Sequence, residues 1–371
     1  MKAVSTSVDS SNALLSKQRY EALDALKCIC AFLVITIHVA FRGNVGTYCK
    51  AIARMAVPIF FMISGFFMEE HFSRSSPRFF KTFIKLLKLI LISNLLYFFW
   101  GIFYYHFYEN AKTITDLVLF ITGGNNWQRK ILSYICFHST LVYEGYHLWY
   151  LNALFYAWTI VYCIKYFFRA KGTRFLHYLA PLLLVHSVIF SNYSSILLGR
   201  FNELASRNFL FCGIPYITLG NWIYQKQKPL CKFFSLPGIL SLLIILSAAV
   251  CLEEYILSSI RLSKDGDYYI CTAFQAIAAF LLFLKIHYTH PKALWLKPLA
   301  KIGSRHSLYI YILHLIVQLI IWKALLRFRY YYLYDLFNIE PILVFFVTLI
   351  ASELSLQILR FLSRITHLKI V

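Results

Sequence analysis

Residues 19–70 read RYEALDALKCICAFLVITIHVAFRGNVGTYCKAIARMAVPIFFMISGFFMEE. Two apolar runs fill this stretch, joined by a short polar loop. Each approaches the ~20 residues that a helix needs to cross a hydrocarbon core. Within or at the edges of the runs stand Asp24, Lys27, His38, Arg54 and Ser64. An ionisable side chain is costly in lipid, so its presence there marks a functional path by default.

Lys27 and His38 are eleven residues apart, close to three helical turns, and therefore share one face. Asp24, three residues before Lys27, joins that face. At 1.5 Å per residue the two positions are separated by about 16 Å along the axis. One helix thus directs a cation near one membrane surface and an imidazole near the other into the same space. The plainer alternative is that Lys27 snorkels to headgroups and His38 bonds a neighbouring helix. The shared face, the depth and the Arg54 of the second run weigh against it.

Of the 371 residues, 60% are hydrophobic and only 14% charged, which is the composition of a polytopic helical membrane protein. The apolar runs are too long for barrel strands. The formal charge of +21 raises nucleic acid as a partner. The cations instead lie between the apolar runs, where they meet anionic headgroups, so a bilayer and no nucleic acid is the expected partner. The nine cysteines lack metal-type spacing, and no metal is expected. A disulfide between Cys49 and Cys136 is one open pairing, because both can face outward.

The expected fold is all-α, with about ten transmembrane helices over 22–41, 53–70, 83–106, 147–168, 175–191, 208–224, 236–256, 269–288, 307–325 and 341–360. Residues 1–18 read as a disordered tail, and 19–371 as one membrane domain. With the amino terminus inside, inward segments hold 23 Lys and Arg against 13 outward, which places both termini in the cytoplasm. Pro58 is expected to kink the second span. Residues 71–88 form a basic collar in which Arg78, Lys81, Lys85 and Lys88 repeat at helical spacing. The collar, with Arg74, is either a headgroup anchor or a phosphate site. Residues 114–126 suggest a short interfacial helix. His147 and Trp149 enter from the outer side at about the depth of His38. Tyr311 and His314 share a face of the ninth span. Glu353 calls for a polar partner on another helix.

At these residues the chain resembles the acyltransferase-3 family, integral-membrane O-acyltransferases of bacterial surface glycans. LDALKCICAFLVITIHV looks like the family's first-span motif, a basic residue followed eleven places later by histidine. AIARMAVPIFFMISGFFM resembles the second, including Arg54, Pro58, Phe60, Phe61, Ser64 and Gly65. HLWYLNAL, RNFLFCGIPYITLG and SLYIYILH are also similar, in order along nearly the whole chain. The likeness is greatest to a subset that includes an O-acetyltransferase of a surface antigen and the membrane half of resistance-linked racemases. One departure stands out: the first-span cation is usually arginine, and Lys27 lacks its bidentate fork.

The resemblance implies acyl transfer, usually of acetyl, from cytosolic acetyl-CoA to a hydroxyl of a cell-surface glycan or glycolipid, in a bacterial inner membrane. In that scheme His38 is the general base or a transient acyl carrier, and Arg54 stabilises the oxyanion. Lys27, Arg74, Arg78, Lys81 and Lys85 hold the CoA phosphates. Ser64, His147, Trp149, Tyr311 and His314 position the acceptor. Two other classes stay open at this point: a transporter of a small amino acid or carboxylate through the same polar path, and a non-catalytic scaffold for glycan assembly. The chain shows no internal repeat of the kind many transporters carry.

Overall fold

The structure is a computed structural model. It describes residues 20–73, 79–108, 113, 115, 127–138, 144–191, 193–194, 207–260, 268–291, 293–327 and 338–366. The expected tail at 1–18, the cations Arg74 and Arg78 and the segment 116–126 lie outside the described residues, as does the side chain of Cys136. Cys49 is a free thiol.

Every regular element among the described residues is helical. In chain order they are α1 (Glu21–His38), α2 (Gly43–Ala53), α3 (Ala56–Ser73), α4 (Phe79–Tyr108), α5 (Trp127–Phe137), α6 (Trp149–Phe190), α7 (Ile214–Phe233), α8 (Leu236–Ser259), α9 (Thr272–Thr289), α10 (Leu296–Arg305), α11 (Ser307–Arg327) and α12 (Glu340–Thr366). A 3-10 turn, Tyr146–Leu148, leads into α6, and a π turn, Phe209–Gly213, leads into α7.

Seven helical stretches among the described residues are long and apolar enough to cross a membrane. They do not match the expected ten one for one, and the differences have physical reasons. Two expected spans are not among the seven: α1 carries three charged residues, Glu21, Asp24 and Lys27, and α7 carries Lys226, Lys228 and Lys232, which lower their apolarity. The expected fourth and fifth spans follow one another through a kink at Arg169, where φ is +46°, inside the gap expected between them, and so count as one stretch. The second span starts ten residues earlier than expected, because α2 occupies the loop and joins α3 through a short turn at Arg54 and Met55. Pro58 lies at the third position of α3. A proline costs least in a first turn, where the backbone N–H has no intrahelical acceptor.

α1 is the hub and packs against α2, α3, α9, α10, α11 and α12. The acidic Glu21 and Asp24 sit in its first turn, where the helix dipole favours them. Gly43, at φ +65°, turns the chain from the loop into α2. Lipid gives no hydrophobic drive between helices, so close approach of small residues has to supply the packing. α3 and α7 meet in this way. A Cβ on Gly65 would stand 2.0 Å from the Ile217 carbonyl oxygen, and one on Gly220 would stand 2.0 Å from that of Met62. α10 presses Gly303 equally close to the backbone of Asp24. At the periphery, α4, α8 and α12 show large apolar side chains outward, among them Leu91, Phe99, Ile244, Ile245, Phe346 and Ile350. Those faces suit hydrocarbon. Glu353 meets its expected partner, since Arg305 donates to it at 2.6 Å.

Candidate active site

Two cavities lie end to end along the same four helical segments. The first, about 480 Å³, takes Val34, Ile37 and His38 from α1, Val57 from α3, Trp149 and Tyr150 from α6, and Tyr311 from α11. The second, about 360 Å³, takes Lys27 from α1, Phe60 to His71 from α3, Tyr150 to Trp158 from α6, and Ser307 to Tyr311 from α11. On each segment the order is the same, so the cavities stack along the bundle axis. Tyr150 and Tyr311 line both.

The first cavity holds His38, half-buried at the end of α1, and Arg54, buried at the turn between α2 and α3. The break before Pro58 places Arg54 opposite His38. Three imidazoles gather here. The ring of His38 lies 6.2 Å from that of His147 and 5.3 Å from that of His314, and the last two are 5.0 Å apart. His147 is held at the start of α6, where its carbonyl accepts a hydrogen bond from the Tyr311 hydroxyl. The Tyr97 hydroxyl donates to the Ile312 carbonyl at 2.8 Å and lies 3.4 Å from His147 Nε2. His314 turns Nδ1 to the carbonyls of Tyr311, at 2.8 Å, and Ile310, at 3.1 Å. That places the proton on Nδ1 and leaves Nε2 as a lone pair without a hydrogen-bond partner. Among the described residues, no three His, Cys, Asp or Glu side chains are arranged to hold a metal ion.

The second cavity has a different character. Lys27 is paired with Asp24 at 2.9 Å and faces the Phe67 ring at 5.2 Å. Lys85, His71, Thr82, Ser304 and Ser307 add polar groups, and the rest of the lining is apolar. A cation with polar neighbours above a long apolar sleeve suits a slim molecule with a charged head.

The residues expected from sequence divide between the two spaces. His38, Arg54, His147, Trp149 and Tyr311 converge on the first cavity. His314 stands behind it, fully buried, in ring contact with His38 and His147. Lys27 and Lys85 line the second cavity, as does Ser64, which donates to the Phe60 carbonyl at 3.0 Å. Ser64 therefore parts from the acceptor-positioning group in which the sequence reading placed it, because α3 carries it two turns beyond Val57. Lys81 is exposed and lines neither space.

Sequence reasoning missed Lys50, Tyr146, Tyr150, Arg207 and Tyr268 in the first cavity. For Lys50 and Arg207 a signal existed, since each lies next to a small-residue helix entering the bilayer. For the tyrosines none did.

A bundle of apolar helices around a stacked pair of polar cavities is the build of a multi-pass membrane enzyme or carrier. A family model described as an acyltransferase domain matches residues 20–354, and the chain belongs to that family, acyltransferase-3. It is thus a membrane acyltransferase. No curated protein and no solved structure matches the chain, so the narrower likeness to particular relatives remains an expectation.

Proposed function

We propose that this enzyme moves an acetyl group from cytosolic acetyl-CoA to a hydroxyl of a cell-surface glycan or lipid-linked saccharide, across a bacterial inner membrane. The observation that carries this reading is the stacking of the two cavities, with Lys27 in one and His38 and Arg54 in the other. A cytosolic thioester and an outer alcohol can react only if a path through the bilayer joins them. The Lys27 cavity is the donor's entrance. Lys27 and Lys85 meet the CoA phosphates, with Arg74, Arg78 and Lys81 of the collar nearby in sequence. The pantetheine arm lies along the sleeve of Phe60, Ile63, Leu151 and Leu154. Its reach is comparable to the rise of about 16 Å from Lys27 to His38.

His38 takes the proton of the acceptor hydroxyl as the oxygen attacks the thioester carbonyl, a task suited to imidazole near neutral pH. Arg54 stabilises the oxyanion that forms, in a low-dielectric setting where a fixed charge is most effective. The intermediate then collapses: the carbon–sulfur bond breaks, and the His38 imidazolium returns the proton to the CoA sulfur. Trp149, Tyr311 and His147 hold the acceptor, and His314 orients the two imidazoles in front of it. The family assignment weighs against the small-carboxylate carrier that the sequence left open.

The test is transfer of label from radioactive acetyl-CoA into the glycan fraction of membranes bearing the protein. His38→Gln is expected to lower incorporation by about 10²–10⁴-fold, and Arg54→Ala by about 10²–10³-fold. Undiminished incorporation in both, at normal expression, would remove the mechanism.

A further inference from the structure

Two polar cavities in line across a bilayer create a hazard. Lys27 and Lys85 wet one, and Lys50, Arg54 and Arg207 wet the other. If they joined, ions would run down the membrane potential. A barrier must therefore stand where they meet.

We infer that Tyr150 and Tyr311 are that barrier, an aromatic seal closed at rest and parted by the donor's arm. They are the residues common to both linings. Their rings stand edge to face, 5.4 Å between centroids at 70°. Each is nearly buried, Tyr150 at 8% and Tyr311 at 6% exposure, although it borders two cavities. The Tyr311 phenol is also tied in place. Tyr311 donates to the His147 carbonyl. The Tyr150 ring rests on Phe61 at 4.7 Å and on Phe60 at 6.2 Å. These contacts pack aromatic rings together at the junction, a surface on which a file of water finds few partners.

Closure rests on the shared linings and the packed rings. Opening by the arm rests on the acyl-transfer reading above. Tyrosine rings suit a door because only two side-chain torsions move.

The experiment is proton flux into liposomes of neutral phospholipid that contain the purified full-length protein and trapped pyranine, driven by a potassium gradient with valinomycin. Wild type and Tyr150→Phe, which keeps the ring, are expected to stay tight. Tyr150→Ala is expected to raise the flux about tenfold, equivalent to roughly 1.4 kcal/mol off the passage barrier. Tyr150→Leu is a second truncation that keeps the bulk needed for folding, and it should leak to a smaller extent. Acetyl-CoA present on both sides should reduce the leak. A leak that acetyl-CoA leaves unchanged supports the seal and overturns the donor assignment. Folded variants as tight as wild type, or a wild type as leaky as Tyr150→Ala, overturn the seal.

Discussion

Tyr97 lies midway along α4, a helix that otherwise presents lipid with an almost continuous apolar face, yet it is fully buried. Its hydroxyl is the one polar handle this helix extends toward the imidazole cluster among the contacts described. Tyr97→Phe leaves the Ile312 carbonyl and His147 Nε2 without that partner. A buried group left unpaired costs about 1–3 kcal/mol, so the variant is expected to melt lower in a thermal unfolding series in detergent. Its transfer rate should fall less than that of His38→Gln, because Tyr97 touches His147 and not His38. Equal losses in the two variants would place Tyr97 in the chemistry itself. At this scale the sequence is legible where contrast exists. Lys27, His38 and Arg54 stand out because hydrocarbon tolerates none of them unpaired. Tyr97 and Tyr150 are lost among 27 tyrosines, a residue equally at home at an interface, in a core or lining a cavity.

The helices show what the sequence can and cannot say about packing. Gly65 belongs to a motif visible in the sequence, but only the structure gives its purpose, which is to admit α7 against the α3 backbone. Gly65→Val would drive two methyl groups into the Ile217 carbonyl, so α3 and α7 must separate. Overpacking of this kind costs about 1–3 kcal/mol. It should reduce both detergent stability and transfer, since α3 carries residues of both cavities. Undiminished stability would mean that the two helices slide rather than part. The Glu69–Lys165 ion pair joins the far end of α3 to α6, with Gln225 donating to the other Glu69 oxygen at 2.9 Å. Lys165 is nearly inaccessible, at 5% side-chain exposure. Lys165→Met strands the Glu69 carboxylate and is expected to destabilise by about 3–5 kcal/mol, and a second change, Glu69→Leu, should recover most of it. A melting series of the two single variants and the double variant decides this. Spans such as α8 and α9 were legible from apolarity alone. The gap between the expected fourth and fifth spans was legible as well, and the kink at Arg169 falls inside it.

For the molecule as a whole, the separation of the two cavities makes sidedness the decisive property. On the function proposed above, with both termini inside as the loop charges suggest, the Lys27 cavity would face the cytosol and the His38 cavity outward. A CoA thioester carries several negative charges and does not cross lipid unaided. Sealed vesicles of opposite orientation should therefore differ sharply. Inside-out vesicles should incorporate label from acetyl-CoA added to the medium. Right-side-out vesicles should do so only after permeabilisation, while remaining open to reagents that modify residues of the His38 cavity. The direction is fixed by which end of α1 holds the cation, so the outcome tests the assignment of Lys27 to the donor and of His38 to the acceptor together. If intact right-side-out vesicles used external acetyl-CoA, the donor would have to enter from the His38 side. The basic collar at 71–88 would then return to the plainer role of a headgroup anchor.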